Sequence, residues 1–255
     1  MNKIKTVLEN SIGTWLTIPD NTIAELLCQC NFEWIVIDLE HSSTSLNQAA
    51  DLIRTIDLSG KIPLVRLGNH DPNLCKRVLD AGAMGIIFST VEDSMQARSC
   101  VNAVKYPPLG KRGVGLSRAQ GYGQKFQEYY ENNNKRVIII AQIETKLGVD
   151  NSQEILSTDG IDGFFIGPYD LSCSLGKPGN FECDEMQNSI KQVMDNCEKL
   201  KKMSGIHVVS TEHGDYLKAK SQGYKVVAFG IDFLFLRNLA FQETTYIESK
   251  YEKNK

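Results

Sequence analysis

The sequence has no surplus of positive charge: 28 Lys and Arg stand against 31 Asp and Glu over 255 residues, a formal charge of −3. A nucleic-acid or membrane-surface binder needs a basic footprint, so neither kind of partner is expected. Long apolar runs are missing as well. None approaches the roughly 20 residues that span a bilayer, and the first segment, MNKIKTVLENSIGTW, lacks the apolar core of a secretory signal. A cytoplasmic protein is the expectation. Cysteine is sparse and odd in number, with seven at positions 28, 30, 75, 100, 173, 183 and 197. That excludes a fully paired disulfide framework and reads as reduced, mostly buried thiols. Cys28 and Cys30 are the one close pair, with no second pair at zinc-site spacing, so they are assigned to packing.

What is present is ordinary globular material, 42% hydrophobic and 23% charged, which argues against disorder. The length allows two small domains but also matches one (β/α)₈ barrel. Short β-rich runs alternate with amphipathic stretches. Candidate strands are SIGTWL (11–16), EWIVIDL (33–39), IPLVRL (62–67), MGIIFS (84–89), RVIIIAQIE (136–144), IDGFFIG (161–167), SGIHVVS (204–210) and YKVVAFG (224–230). Most are continuously apolar, as expected of parallel strands covered by helices. Helical patterns lie between them, such as TIAELLCQC, SLNQAADLIRTI, DPNLCKRVLDAG and SMQARSCVNAV. In the third, Asp71 can cap, Pro72 suits the first turn and Gly82 ends the helix. Eight strands alternating with helices indicate a single-domain TIM barrel over residues 1–255, with a doubly wound open sheet as the other architecture considered.

Two connections, 106–135 and 167–186, exceed what a minimal barrel needs, and both follow a strand's carboxyl end, where barrels build active sites. The KRGVG run at 111–115 follows no strand directly and opens no obvious helix, so it reads as a turn-rich loop rather than a phosphate cradle. The final segment, from about 231, reads as a helix, and its charged end (246–255) as frayed or an oligomer contact.

Polar residues gather at the strands' carboxyl ends: Asp38, Glu40 and His41; Arg66 and His70; Gln142 and Glu144; Gly167, Tyr169 and Asp170. In a barrel these converge on one mouth. Glu144 and Asp170 make a hard-oxygen pair suited to Mg²⁺, Mn²⁺ or Co²⁺, unless Asp170 only caps the helix that follows. His41 is a candidate general base, or else a loop histidine bonded to backbone. Arg66 is a fixed cation able to stabilise an enolate or bind a carboxylate. His207, inside a strand, reads as a satisfied interior histidine, and His213 as lying near a helix start.

DLEHS (38–42), PLVRL (63–67), VLDAGAMGII (78–87), KYPPLGKRGVGLSRAQGYG (105–123), AQIET (141–145) and GPYDLSCSLGKPG (167–179) together resemble the class II pyruvate aldolases of the HpcH/HpaI type over roughly 11–235. The resemblance implies a divalent metal and reversible cleavage of a 4-hydroxy-2-oxo acid to pyruvate and an aldehyde. It suggests Glu144 and Asp170 as metal ligands, Arg66 as the transition-state stabiliser, His41 as the base and Gln142 as a substrate contact. The backbone around Gly167 and Tyr169 would hold the pyruvate carboxylate, and Asp38 would act from behind through water. It pairs Asp80 with His41. Asp80 falls near the end of a helix, at the opposite end of its own barrel, so a homo-oligomer with shared sites is expected, up to a hexamer. The alternative is that Asp80 caps its helix or pairs with Lys76 or Arg77. Two departures stand out. IIFST (86–90) has Ser89 where a proline is more usual, and Tyr169 replaces the small residue common in the dicarboxylate aldolases.

Three rival readings stand beside it. One is an acyl-CoA lyase of the citrate lyase type, although no basic groove for CoA phosphates is found. The second is a Schiff-base aldolase, for which only Lys146 lies near a strand's carboxyl end. The third is a keto-acid- or sugar-binding barrel without catalysis.

Overall fold

Isoleucine and valine stiffen the chain at χ1 and fill a pleated surface well, so the short runs they dominate form strands. The computed structural model describes residues 2–252 of the chain. It begins α1 (Lys3–Asn10), β1 (Ile12–Leu16), α2 (Asn21–Gln29), β2 (Trp34–Asp38), α3 (Leu46–Leu58), β3 (Ile62–Leu67) and α4 (Pro72–Ala81). Next come β4 (Gly85–Phe88), α5 (Ser94–Val104), α6 (Phe126–Arg136), β5 (Ile138–Ile143), α7 (Lys146–Asp150), α8 (Ser152–Ser157) and β6 (Gly163–Ile166). The remainder is α9 (Pro168–Ser174), α10 (Asp184–Lys199), β7 (Met203–Val208), α11 (His213–Ser221), β8 (Val226–Ile231) and α12 (Asp232–Glu252). The eight strands pair in parallel, in sequence order, and close β8 onto β1. This is the expected (β/α)₈ barrel in one domain, not an open sheet.

Alternation along each strand sorts side chains into two cores. Ile35, Ile37, Val65, Ile139 and Val227 point outward into the layer beneath the helices. Trp34, Val36, Leu64, Ile138, Ile140 and Phe165 fill the barrel, and Ile4 and Leu8 of α1 belong to this inner cluster. Burying one such side chain contributes roughly 2 kcal/mol. Trp34 fits only because residue 13, opposite it in the register, is glycine; a Cβ there would run into the indole.

The same two-residue period delivers the functional layer. Two positions beyond Val36 stands Asp38, two beyond Leu64 stands Arg66, and two beyond Ile140 stands Gln142. His207 of β7 lines the same cavity at the carboxyl ends of the strands. Asp232, just past β8, accepts from the amides of Thr17 (2.9 Å) and Ile18 (2.6 Å) and from the Thr17 hydroxyl (2.8 Å), fastening the last strand to the first.

The caps of α4 are as read: Asp71 accepts from the Asn73 amide at 2.8 Å, Pro72 opens the helix and Gly82 closes it at φ +118°. His213 does open α11. The two long connections are more ordered than their sequences suggested. The first holds a 3-10 turn at Arg118–Gln120 and all but the last residue of α6, whose extension to Arg136 moves the start of β5 to Ile138. The second holds α9. Cys28, Cys75, Cys100 and Cys197 are buried, Cys183 is half-buried, and Cys30 and Cys173 are exposed; all seven are free. No helix among the described residues is long and apolar enough to cross a membrane.

Candidate active site

A cavity of about 420 Å³ opens at the carboxyl ends of the strands, lined by Trp15, Asp38, His41, Arg66, Gln142, Gly167, Tyr169, Asp170 and His207 among others. Of the strand-end residues singled out from sequence, Glu40, His70 and Glu144 are absent from this lining, as is Asp80; Glu144 lies against Gln142 and Gly167, which do line it. A larger groove, about 870 Å³, runs between α10 and α11 but holds none of these groups.

Arg66 is fixed on three sides. Its Nε donates to Asp38 Oδ1 at 2.9 Å and its Nη2 to Asp38 Oδ2 at 2.6 Å, while Nη1 lies 3.1 Å from Glu40 Oε2. Its guanidinium carbon sits 5.2 Å from the centre of the Trp15 ring, whose plane stacks on His207 at 4.3 Å. Burial opposes the charge on Arg66, but Asp38, Glu40 and, further off, Glu144 outweigh it and raise its pKa. Burial likewise opposes the Asp38 carboxylate, yet the hydrogen bonds and charge of Arg66 hold it below its ordinary value. Asp38 thus makes a direct two-point contact with Arg66.

Glu144 is built differently. It is almost fully buried, its Oε1 accepts from the Thr90 amide and hydroxyl, both at 2.7 Å, and its Oε2 accepts from the Gln142 amide nitrogen. No Lys or Arg among the described residues bonds to it. Burial pushes its pKa up, and the charges of Glu40 and Asp170 add to that. Gly167 makes room for the carboxylate, since a Cβ there would run into Oε2. Asp170 stands exposed in the first turn of α9, and that helix has no side-chain cap, so Asp170 is not spent on capping. A buried carboxylate pressed by Glu40 and by the exposed Asp170 is the donor chemistry a hard divalent cation neutralises. Among the described residues no group of three or more His, Cys, Asp or Glu is arranged to hold a metal. Two protein ligands would leave the other positions to water and substrate.

His41 is 66% exposed at its side chain, and its nearest carboxylate is Glu40, with Nε2 to Oε2 at 3.9 Å. His207 is the satisfied histidine foreseen: its Nε2 meets the Gly230 carbonyl at 2.8 Å, and burial lowers its pKa to about 4. Tyr169 is 54% exposed and packs edge-on against Phe181 at 5.0 Å, adding aromatic bulk at the rim.

Asp80 ends up elsewhere. It pairs at 2.6 Å with Arg112 of the KRGVG run, not with Lys76 or Arg77, and the Arg112 guanidinium is fully buried over the Tyr106 ring at 4.7 Å. Among the described residues no lysine lines the cavity; Lys146 bonds to Asp150 outside it. Reasoning from sequence gave no role to Glu40, and it missed Trp15, Ser89 and Thr90. The departure at IIFST was the one signal pointing to the last two.

A sequence profile of the family described as HpcH/HpaI aldolase/citrate lyase matches residues 11–238. The hydroxypyruvate/pyruvate aldolase of Sagittula stellata is 35% identical, covering 94% of this chain and 95% of that protein. The 5-keto-4-deoxy-D-glucarate aldolase of Klebsiella pneumoniae is 32% identical over 93% of each. A solved HpcH/HpaI aldolase/citrate lyase family protein from Burkholderia cenocepacia superposes with a TM-score of 0.91 at 28% identity, covering 97% of this chain and all of the other. The match runs from β1 into α12 and takes in every strand of the barrel. The chain belongs to the HpcH/HpaI aldolase/citrate lyase family.

Proposed function

We propose that the protein is a class II pyruvate aldolase, a carbon–carbon lyase that cleaves a 4-hydroxy-2-oxo acid reversibly to pyruvate and an aldehyde. One juxtaposition supports this most: a rigidly held cation, Arg66, and the carboxylate of Asp170 line a single cavity, and the buried carboxylate of Glu144 lies against its wall at Gln142 and Gly167. Glu144 and Asp170 would hold a divalent cation, Mg²⁺, Mn²⁺ or Co²⁺, which would supply positive charge to the bound keto acid.

The chain's own groups do the rest. First-turn amides of α9 have no helical carbonyl to bond, so the backbone around Gly167 and Tyr169 receives the substrate carboxylate. Gln142 contacts the bound keto acid beside it. His41 takes the proton from the 4-hydroxyl as the C3–C4 bond breaks. The bonding pair passes into the pyruvate enolate and the aldehyde departs. Arg66 stabilises the negative charge that develops on the enolate oxygen. Protonation at C3 then completes pyruvate. Tyr169 narrows the rim where the aldehyde part would lie.

The working unit in this proposal is a homo-oligomer, up to a hexamer, in the cytoplasm. Phe233, Leu236, Leu239, Phe241 and Ile247 of α12 are all largely exposed, an apolar load that an interface would bury. Asp80 of one subunit then serves His41 of the next. Seven free thiols fit a reducing compartment.

Pyruvate release from a panel of 4-hydroxy-2-oxo acids, with and without EDTA, tests the reading. Turnover that EDTA abolishes and Mg²⁺, Mn²⁺ or Co²⁺ restores is expected. Turnover that survives EDTA, with borohydride trapping pyruvate on a lysine, would overturn it.

A further inference from the structure

The corner after β4 carries backbone strain that no core packing explains. Thr90 lies at φ +52°, in the left-handed region, although it is neither glycine nor asparagine, and it is exposed. A β-branched residue there is a genuine outlier, and such outliers persist only where the surroundings over-determine them. The hydrogen bonds show what does so. The Ser89 amide bonds back to Leu67 of β3 at 3.1 Å, and the Val91 amide bonds forward to Gln142 of β5 at 3.1 Å. Between them the Thr90 amide points at neither strand. It donates to Glu144 Oε1 at 2.7 Å, and the Thr90 hydroxyl donates to the same oxygen at 2.7 Å.

Counting lone pairs makes the consequence definite. A carboxylate offers two acceptor sites on each oxygen. Thr90 fills both on Oε1, and Gln142 fills one on Oε2. One site remains, on the oxygen that lies against Gly167, at the foot of the helix carrying Asp170. We propose that Thr90 is a positioning residue: its strained, two-donor grip presets Glu144 so that a single Oε2 lone pair is presented to a divalent cation. This rests on Glu144 being a metal ligand, as proposed above. Ser89 extends the corner, donating to Glu40 Oε2 at 2.5 Å, the oxygen that also meets Arg66. The Ser89–Thr90 corner thus holds two of the mouth's carboxylates, Glu40 and Glu144.

Titration of the metal-free protein with Mn²⁺, following the loss of the free-ion electron paramagnetic resonance signal, tests the proposal without any turnover. Thr90→Val keeps the shape and the amide but loses the hydroxyl donor, and is expected to bind Mn²⁺ about 10- to 100-fold more weakly, the usual effect of removing a group that orients a ligand. Thr90→Ser restores the donor and should return affinity close to wild type. Thr90→Gly relaxes the backbone as well as losing the hydroxyl, and should bind no better than Thr90→Val; it also serves should the valine variant fold poorly. Wild-type or tighter affinity in both Thr90→Val and Thr90→Gly overturns the proposal. Glu144→Gln separates the two ideas. If it keeps wild-type affinity, the metal-ligand reading fails; if it loses binding while the Thr90 variants keep theirs, only the grip of Thr90 fails.

Discussion

Asp38 and Arg66 sit opposite each other in the β2–β3 register and join through two parallel hydrogen bonds, at 2.9 and 2.6 Å. The fork of the guanidinium matches the carboxylate on one side and leaves the cation aimed into the cavity. Lysine cannot reproduce that geometry. Arg66→Lys should therefore lose about 10²-fold or more in kcat despite keeping the charge, and Arg66→Ala more still. Steady-state kinetics on the best substrate of the panel would check this, and kcat within threefold of wild type in Arg66→Lys would remove Arg66 from its role.

Glu144 should cost stability in the absence of metal. It is buried, bonds to no Lys or Arg among the described residues, and feels the charges of Glu40 and Asp170. Glu144→Gln keeps the shape and an acceptor oxygen while removing the charge. Its thermal midpoint in EDTA should rise by a few degrees, on the order expected for about 1 kcal/mol in a domain of this size. A lower midpoint would mean that the carboxylate is structural.

Much of this was legible beforehand. All eight strands lie within two residues of their expected limits, because runs such as IIIAQI and WIVID are apolar on both faces and admit few other readings. The mouth residues were legible for the same reason: a polar group two places past an inward apolar one must enter the cavity. Other features depended on long-range contacts. Nothing local in FQEYYENNNKR marks a helix strongly, and α9 is too short for a period to show. The left-handed backbone of Thr90 is imposed by Glu144, 54 residues away. Asp80 finds Arg112 across 32 residues of chain, and only the fold makes that neighbour nearer than Lys76 or Arg77.

His207 should make stability depend on pH. An ordinary histidine titrates at 6.5, but burial holds this one near 4. Between those values the unfolded chain takes up a proton that the folded chain refuses. The stabilisation is complete above pH 6.5 and is lost as pH falls toward 4, reaching about 2 kcal/mol at pH 5. Urea unfolding at pH 7 and pH 5 should show a smaller loss in His207→Asn than in wild type. Equal losses would contradict the buried neutral state.

The sharing of Asp80 between subunits can be tested without disturbing Arg112 badly. Asp80→Ala would strand a buried guanidinium, at a cost of about 3–5 kcal/mol, whereas Asp80→Asn keeps an acceptor for it. Mixing inactive His41→Ala chains with Asp80→Asn chains, after dissociation and reassociation, should restore part of the activity. No recovery, when wild type survives the same treatment, would confine Asp80 to its pairing with Arg112.

The central claim is that Arg66 and a divalent cation at Glu144 and Asp170 together stabilise the enolate of pyruvate. Exchange of the pyruvate methyl protons for deuterium in D₂O, followed by proton nuclear magnetic resonance, measures that step without knowledge of the aldehyde. Exchange should require added metal, stop with EDTA and fall by at least about 10²-fold in Arg66→Ala. Exchange that persists in EDTA, or that Arg66→Ala leaves unchanged, would contradict the account.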